Sequence, residues 1–272
     1  MLPVLQTQPS THDIALFPCR FGCPGSDKTF PPENFDCQQL IYEAVLNQTL
    51  INPVGEVFLY SDLSMITMMY VVGKLARELG YVTVNDLKDS CLAAQSSSAV
   101  ISDAADQCYY LAYVTKYIIT PHIMFNSTFN VSPAKWGKAA PTWNDTSADS
   151  PDGNYRKRMI QGQVSDANAY VMGGVSGHAG FFSTGVDVFR LLKQLMFATD
   201  DNHFLNSTTI STFTTIYNVS QSSRALGWDT NNYQIRDYMG CGNFSQNTYM
   251  HTGYTGTQVR HSAEYFHCVM MC

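Results

Sequence analysis

An α+β fold is predicted for this chain from three observations. Helical periodicity fills the first two-thirds, strand candidates gather late, and 45% of its 272 residues are hydrophobic, enough to build a core. Pro18 to Pro32 is rich in Pro, Gly and Cys and reads as a loop. Phe35 to Leu46 has apolar residues at helical spacing. Ser61 to Leu79 is a stronger helix, with Leu63, Ile66, Met69, Tyr70, Gly73, Ala76 and Leu79 on one face and Gly80 as its stop signal. Asp103 to Ile119 is a third helix, closed by Pro121. Asn126 to Tyr155 has little periodicity and reads as a long surface loop. Thr184 and Asp187 form a capping-box pattern ahead of a helix over Val188 to Phe197. In Asn206 to Tyr217 the spacing of Ile210, Phe213 and Ile216 supports a helix that the Ser and Thr residues weaken. Strand candidates follow at Arg224 to Thr230 and around Thr248 to Gln258.

Charge excludes some functions. Only 14% of residues are charged, against about 25% in ordinary soluble domains, and the net charge is −6. There is no basic stripe for nucleic acid, and the longest apolar run, Met65 to Gly73, is far short of the roughly 20 residues of a membrane span.

Neutral polar residues replace the missing charge, and they point to a compartment. Seven Asn-x-Ser/Thr sequons, at Asn47, Asn126, Asn130, Asn144, Asn206, Asn218 and Asn243, exceed the roughly three that composition predicts. Eight cysteines suit disulfides in an oxidising compartment, though spacing selects no pairing. We therefore expect a secreted or secretory-lumenal glycoprotein. The opening, MLPVLQTQPSTHD, is polar and broken by Pro, unlike a signal peptide, and the expectation is that the native N-terminus lies upstream.

Four short patterns stand out, each with a plain local reading. Tyr60-Ser61-Asp62 sits directly before a helix and reads locally as a strand-to-helix junction capped by Ser61 or Asp62. Gly173 to Thr184, GGVSGHAGFFST, surrounds one histidine with small residues, so that the backbone approaches something closely; locally His178 reads as a hydrogen-bonded structural histidine. His251-Thr252-Gly253-Tyr254-Thr255-Gly256-Thr257 could be a bulged edge strand. Arg224 to Asp229 reads as a buried strand. The His261, His267, Cys268 and Cys272 group and the Cys19/Cys23 pair lack zinc-knuckle or HExxH spacing, so no metal is expected.

Together and in this order, the phrases YSDL at Tyr60, IQGQVSDANAYVMGGVSGHAGFFST from Ile160, SRALGWDT from Ser223 and YMHTGYTGT from Tyr249 resemble the serine β-lactamase and penicillin-binding-protein-like family, in its class C and esterase-like branch. The resemblance implies a helical region beside an antiparallel sheet. It also implies acyl transfer through a serine ester on an ester, amide or peptide-like substrate, without a cofactor. Tyr60 would shuttle the proton and Asp62 would hold the motif's Asn position. His251 would stand where many relatives have Lys, Thr252 and Gly253 would complete that motif, and the Tyr254 amide would face the oxyanion. A phenol with a pKa of about 10 needs a neighbouring cation to act as a base near neutrality.

The chain departs from the family pattern at the nucleophile. Its single Ser-x-x-Lys match, Ser132-Pro133-Ala134-Lys135, follows Tyr60 instead of preceding it, and Pro133 disfavours an interior helical turn. The expected organisation is a divergent, loop-rich segment over 1–34, a partial β-lactamase-related domain over 35–257 and a non-family tail over 258–272. The chain would be truncated at both ends, its sheet reduced to one secure strand, and catalysis impaired. The alternatives are a non-catalytic secreted glycoprotein with a binding or scaffold role, or an incomplete gene product.

Overall fold

The computed structural model describes residues 35–89, 91, 105–146, 156–197, 204–231, 245, 247–262 and 267–271. Two compact units result, one from the described residues of Met1–Pro121 and Phe125–Ser183, the other from His122–Met124 and Thr184–Cys272. The loop expected over Pro18 to Pro32, and Asn243, lie outside the described residues.

The first unit is mainly helical. It holds α1 (Phe35–Leu46), α2 (Asp62–Glu78), α3 (Asp106–Val114), which runs on as a π turn over Thr115–Ile119, and the short α4 (Ala167–Val171). The apolar face read for α2 is buried at Leu63, Ile66, Met69, Tyr70, Gly73 and Ala76, whereas Leu79, the C-cap, lies in solvent. Ile41 and Val45 of α1 pack with that face, and Ala169, Tyr170, Val171 and Met172 complete the cluster. α2 and α3 touch backbone to backbone, because a Cβ at Gly73 would lie 1.9 Å from the Asp106 carbonyl oxygen. Arg77 closes the same contact by donating to both carboxylate oxygens of the buried Asp106, at 2.7 and 3.2 Å. A disulfide between Cys91 and Cys108 ties the chain beyond the Val84–Asp86 turn to α3.

Asn126 to Tyr155 is more structured than its lack of periodicity suggests. It carries a 3-10 helix over Pro133–Lys138 and β1 (Pro141–Asn144), which pairs antiparallel with β2 (Met159–Gln161). Periodicity misses these because they are too short to show a period.

The second unit contains α5 (Gly185–Met196), α6 (Ser207–Thr214) and a four-stranded antiparallel sheet in the order β3 (Asp229–Thr230), β4 (Tyr249–Thr252), β5 (Gln258–Ser262) and β6 (His267–Met271). Both helix starts are capped, the first at the Thr184 that the sequence predicts and the second at Asn206. Thr184 Oγ1 accepts from the Asp187 amide at 3.3 Å, and Asn206 Oδ1 accepts from the Thr209 amide at 2.7 Å.

Two strand expectations are corrected. The sheet is not reduced to one strand, since β5 and β6 extend it beyond β4. Arg224 to Asp229 is a tight reversal, in which the Ala225 amide donates to the Trp228 carbonyl and Gly227 takes φ +96°; only Asp229 and Thr230 join the sheet. β4 lies between β3 and β5, but β3 reaches only Tyr249 and Met250, so His251 and Thr252 pair on the β5 side alone. Among the described residues, no helix is long and apolar enough to cross a membrane.

Candidate functional site

In the first unit, Tyr60 ends an extended stretch that is not a strand, so the strand-to-helix reading of this junction gives way to coil-to-helix. Its side chain is 61% exposed, an unusual position for a large aromatic residue beside a core helix. Ser61 is the N-cap of α2 by its extended backbone, and Asp62 is the first helical residue. An acidic side chain there also suits the positive end of the helix dipole.

The GGVSGHAG segment lies against this helix start. A Cβ at Gly177 would stand 2.0 Å from the Met65 carbonyl oxygen and 3.1 Å from Met69 Cβ, so only glycine lets the loop meet the first turn of α2. Other contacts hold the loop from several sides. The buried Gln107 side chain of α3 donates to the Met172 and Val175 carbonyls, and Asn130 Nδ2 donates to the Gly173 carbonyl at 3.1 Å. Phe182 and Thr128 exchange backbone hydrogen bonds at 2.7 and 2.9 Å.

His178 sits at the centre, its side chain 5% exposed. Its Nε2 is 2.8 Å from Asp166 Oδ1 and its Nδ1 is 2.8 Å from Ser176 Oγ. Asp166 is itself fixed as the N-cap of α4, accepting from the Ala169 amide at 2.7 Å. Asp62, Asp166 and His178 each bring one donor atom to within 4.8 Å of the others. That spacing suits a shared cation or a shared proton, and the ring-to-carboxylate hydrogen bond joins two of the three groups. Burial pushes the His178 pKa down, but the hydrogen bond and charge of Asp166, with the charge of Asp62, outweigh it and leave the value raised.

In the second unit, His251 and Thr252 end β4, and Gly253 to Gly256 turn the chain into β5. The Gly253 amide donates to the Thr257 carbonyl at 2.7 Å, and the Gly256 amide donates to the Gly253 carbonyl at 3.0 Å. Thr252, Gly253 and Tyr254 are exposed, Tyr254 to 82%. His251 Nδ1 is 2.8 Å from the Thr252 carbonyl, which only an N–H can satisfy, so Nε2 is free to accept from Arg224 at 3.5 Å. Arg224 also faces the buried Asp229 at 3.5 Å, which puts a guanidinium beside the histidine at the strand end.

Of the residues singled out from sequence, Asp62 is brought together with Asp166 and His178; Tyr60 lies beside them in the first unit, and His251, Thr252, Gly253 and Tyr254 form one hairpin in the second. Sequence reasoning missed Asp166 and Ser176, although Asp166 carries an N-cap signal ahead of Ala167-Asn168-Ala169. Ser132 and Lys135 stand exposed, Ser132 as the N-cap and Pro133 at the first position of the 3-10 helix, where a missing N–H costs nothing. Among the sequons, Asn47, Asn126, Asn144 and Asn206 are exposed, whereas Asn130 and Asn218 are half-buried.

No family model matches the chain. It is 39% identical over 108 residues to a putative D-alanyl-D-alanine carboxypeptidase of Escherichia coli (strain K12) and 37% identical over 109 residues to an N-acetylmuramyl-L-alanine amidase of Bacillus subtilis (strain 168). Each match covers 38% of this chain and 24% of the relative, so the chain spans about a quarter of the length of the curated relatives it matches. Over that stretch it has moderate-identity, partial homology to a putative D-alanyl-D-alanine carboxypeptidase and to an amidase.

Proposed function

We propose that this chain belongs to a serine hydrolase related to the β-lactamases, acting by acyl transfer on an ester, amide or peptide-like substrate, with 35–257 as the family-related domain. The observation that carries the reading is the partial homology to a putative D-alanyl-D-alanine carboxypeptidase, together with an exposed Tyr60 at the mouth of α2. In this reading Tyr60 moves the proton between nucleophile and leaving group, and Asp62 orients the Tyr60 segment. Thr252 offers a hydroxyl to the substrate, the Tyr254 amide stabilises the oxyanion, and Arg224 beside His251 supplies positive charge. We also propose a secretory location, supported by the sequons and by the Cys91–Cys108 disulfide.

A second reading is a non-catalytic glycoprotein that binds such substrates. It is favoured by one observation: the Ser-x-x-Lys match at Ser132 lies exposed on a 3-10 turn, where no core fixes it for attack. Exposure of the native protein to a fluorophosphonate, followed by peptide mapping, separates the two. The hydrolase reading expects a covalent adduct at one serine. A folded protein without any adduct contradicts it and supports the binding reading.

A further inference from the structure

The GGVSGHAG loop takes no part in the acyl-transfer roles above, yet it is held by Gln107, by Asn130 and by close approach to α2. Ser176 is 2% exposed, and its hydroxyl points at Met172 Sδ at 3.6 Å. Ser176 Oγ also meets His178 Nδ1 at 2.8 Å. On the other side of the ring, Asp166 Oδ1 accepts from Nε2–H. The ring is therefore hydrogen-bonded at both nitrogens, buried, and flanked by two carboxylates on two different helices. Asp166 begins α4, and Asp62 begins α2. The contact of Gly177 with the Met65 carbonyl seats the loop on the same turn of α2.

We propose that His178 is a positioning residue for the Tyr60-Ser61-Asp62 motif: its ring, held by Ser176 and Asp166, bridges to Asp62 and fixes the first turn of α2, and with it the place where the Tyr60 hydroxyl stands. The proposal rests on the reading of Tyr60 as a proton shuttle only for its catalytic meaning. The brace itself is a property of the fold. Neutral hydrogen bonding alone would hold the ring in the loop. The bridge to Asp62 needs its charge, because Asp62 and Asp166 would otherwise repel each other across a space of at most 4.8 Å. The charged groups that act on the ring are these two, Asp166 through its hydrogen bond and charge and Asp62 through charge.

Amide hydrogen exchange on the 272-residue chain tests this without any assay of turnover. In His178→Ala, exchange at residues 65–68, the first amides of α2 with a carbonyl acceptor in the helix, should rise about tenfold relative to residues 72–78, the loss of one hydrogen-bonded link confined to one end. His178→Gln, which can still reach Asp166 with an amide, should recover part of that protection. Tyr60 ring resonances should shift with pH in step with His178 in the wild type and lose that response in His178→Gln. A uniform rise along α2, or Tyr60 signals indifferent to His178, would overturn the proposal. Should His178→Ala fail to fold, Ser176→Ala carries the same test, with a smaller rise at the same turn expected and an unchanged turn contradicting the brace. Absence of a fluorophosphonate adduct would sink the hydrolase reading and leave these results standing.

Discussion

The loop around His178 and the hairpin after His251 are both short, glycine-containing and marked by one histidine, but they are built for opposite tasks. Around His178 the side chains of Ser176 and Asp166 are spent on the ring and the Gln107 amide nitrogen on two loop carbonyls. Around His251 the side chains that could meet a ligand, Thr252 and Tyr254, face solvent on a turn held by two backbone hydrogen bonds. A segment whose donors and acceptors are internally satisfied can position but not bind. One whose polar groups face water can bind, and needs something else to hold it still.

The comparison can be broken most forcefully at the disulfide, which braces only the helical unit. Cys91→Ser with Cys108→Ser should lower the stability of the first unit by about 3 kcal/mol, as expected for a closed loop of this size, since the cysteines are 17 residues apart. Exchange protection of the sheet in the second unit serves as the control. Next comes Gly177→Ala. Its Cβ meets a backbone carbonyl that cannot rotate away, so a loss of about 1–3 kcal/mol is expected in denaturant unfolding.

His178 and His261 should then respond to pH with opposite signs. His178 holds its proton more tightly folded than unfolded, so its stabilisation is complete below about pH 6.5 and disappears as pH rises through its raised folded value. His261, buried beside Tyr249 with Nδ1 unpartnered, has a pKa lowered by burial. Its unfolded form takes the proton first, so stability falls as pH drops through about 6.5 toward the lowered folded value. Segment-resolved exchange between pH 5 and 8 would show the α2 start loosening upward and β4–β5 loosening downward. The smallest effect is expected at Gly253→Ala, where the added Cβ meets only Thr257 Oγ1, a side-chain atom that can rotate; a change under about 0.5 kcal/mol in unfolding midpoint analysis fits a surface site.

Much of the helical architecture was legible because it rests on period. The buried face of α2 and the cap at Thr184 follow from spacing and residue type within a few positions. What was not legible is local sequence that looks like one element and is bent by another. Arg224-Ala225-Leu226-Gly227-Trp228 reads as apolar strand, yet Gly227 at positive φ reverses it. The candidate site divides the same way. Tyr60, Asp62 and the His251 hairpin could be picked out as motifs, whereas the link from His178 to Asp166 and Asp62 depends on folding that brings residue 62 to residues 166 and 178, which no local pattern records.

The central claim is that Tyr60 moves protons in a serine acyl transfer. Its most direct test is the rate at which a fluorophosphonate phosphonylates the native wild-type protein and its Tyr60→Phe variant, with loss of fluoride, followed by intact mass. Because Tyr60 is largely exposed, the substitution should leave unfolding unchanged while slowing phosphonylation about a hundredfold or more. Equal rates in the two proteins, with adduct formed in both, would contradict the account.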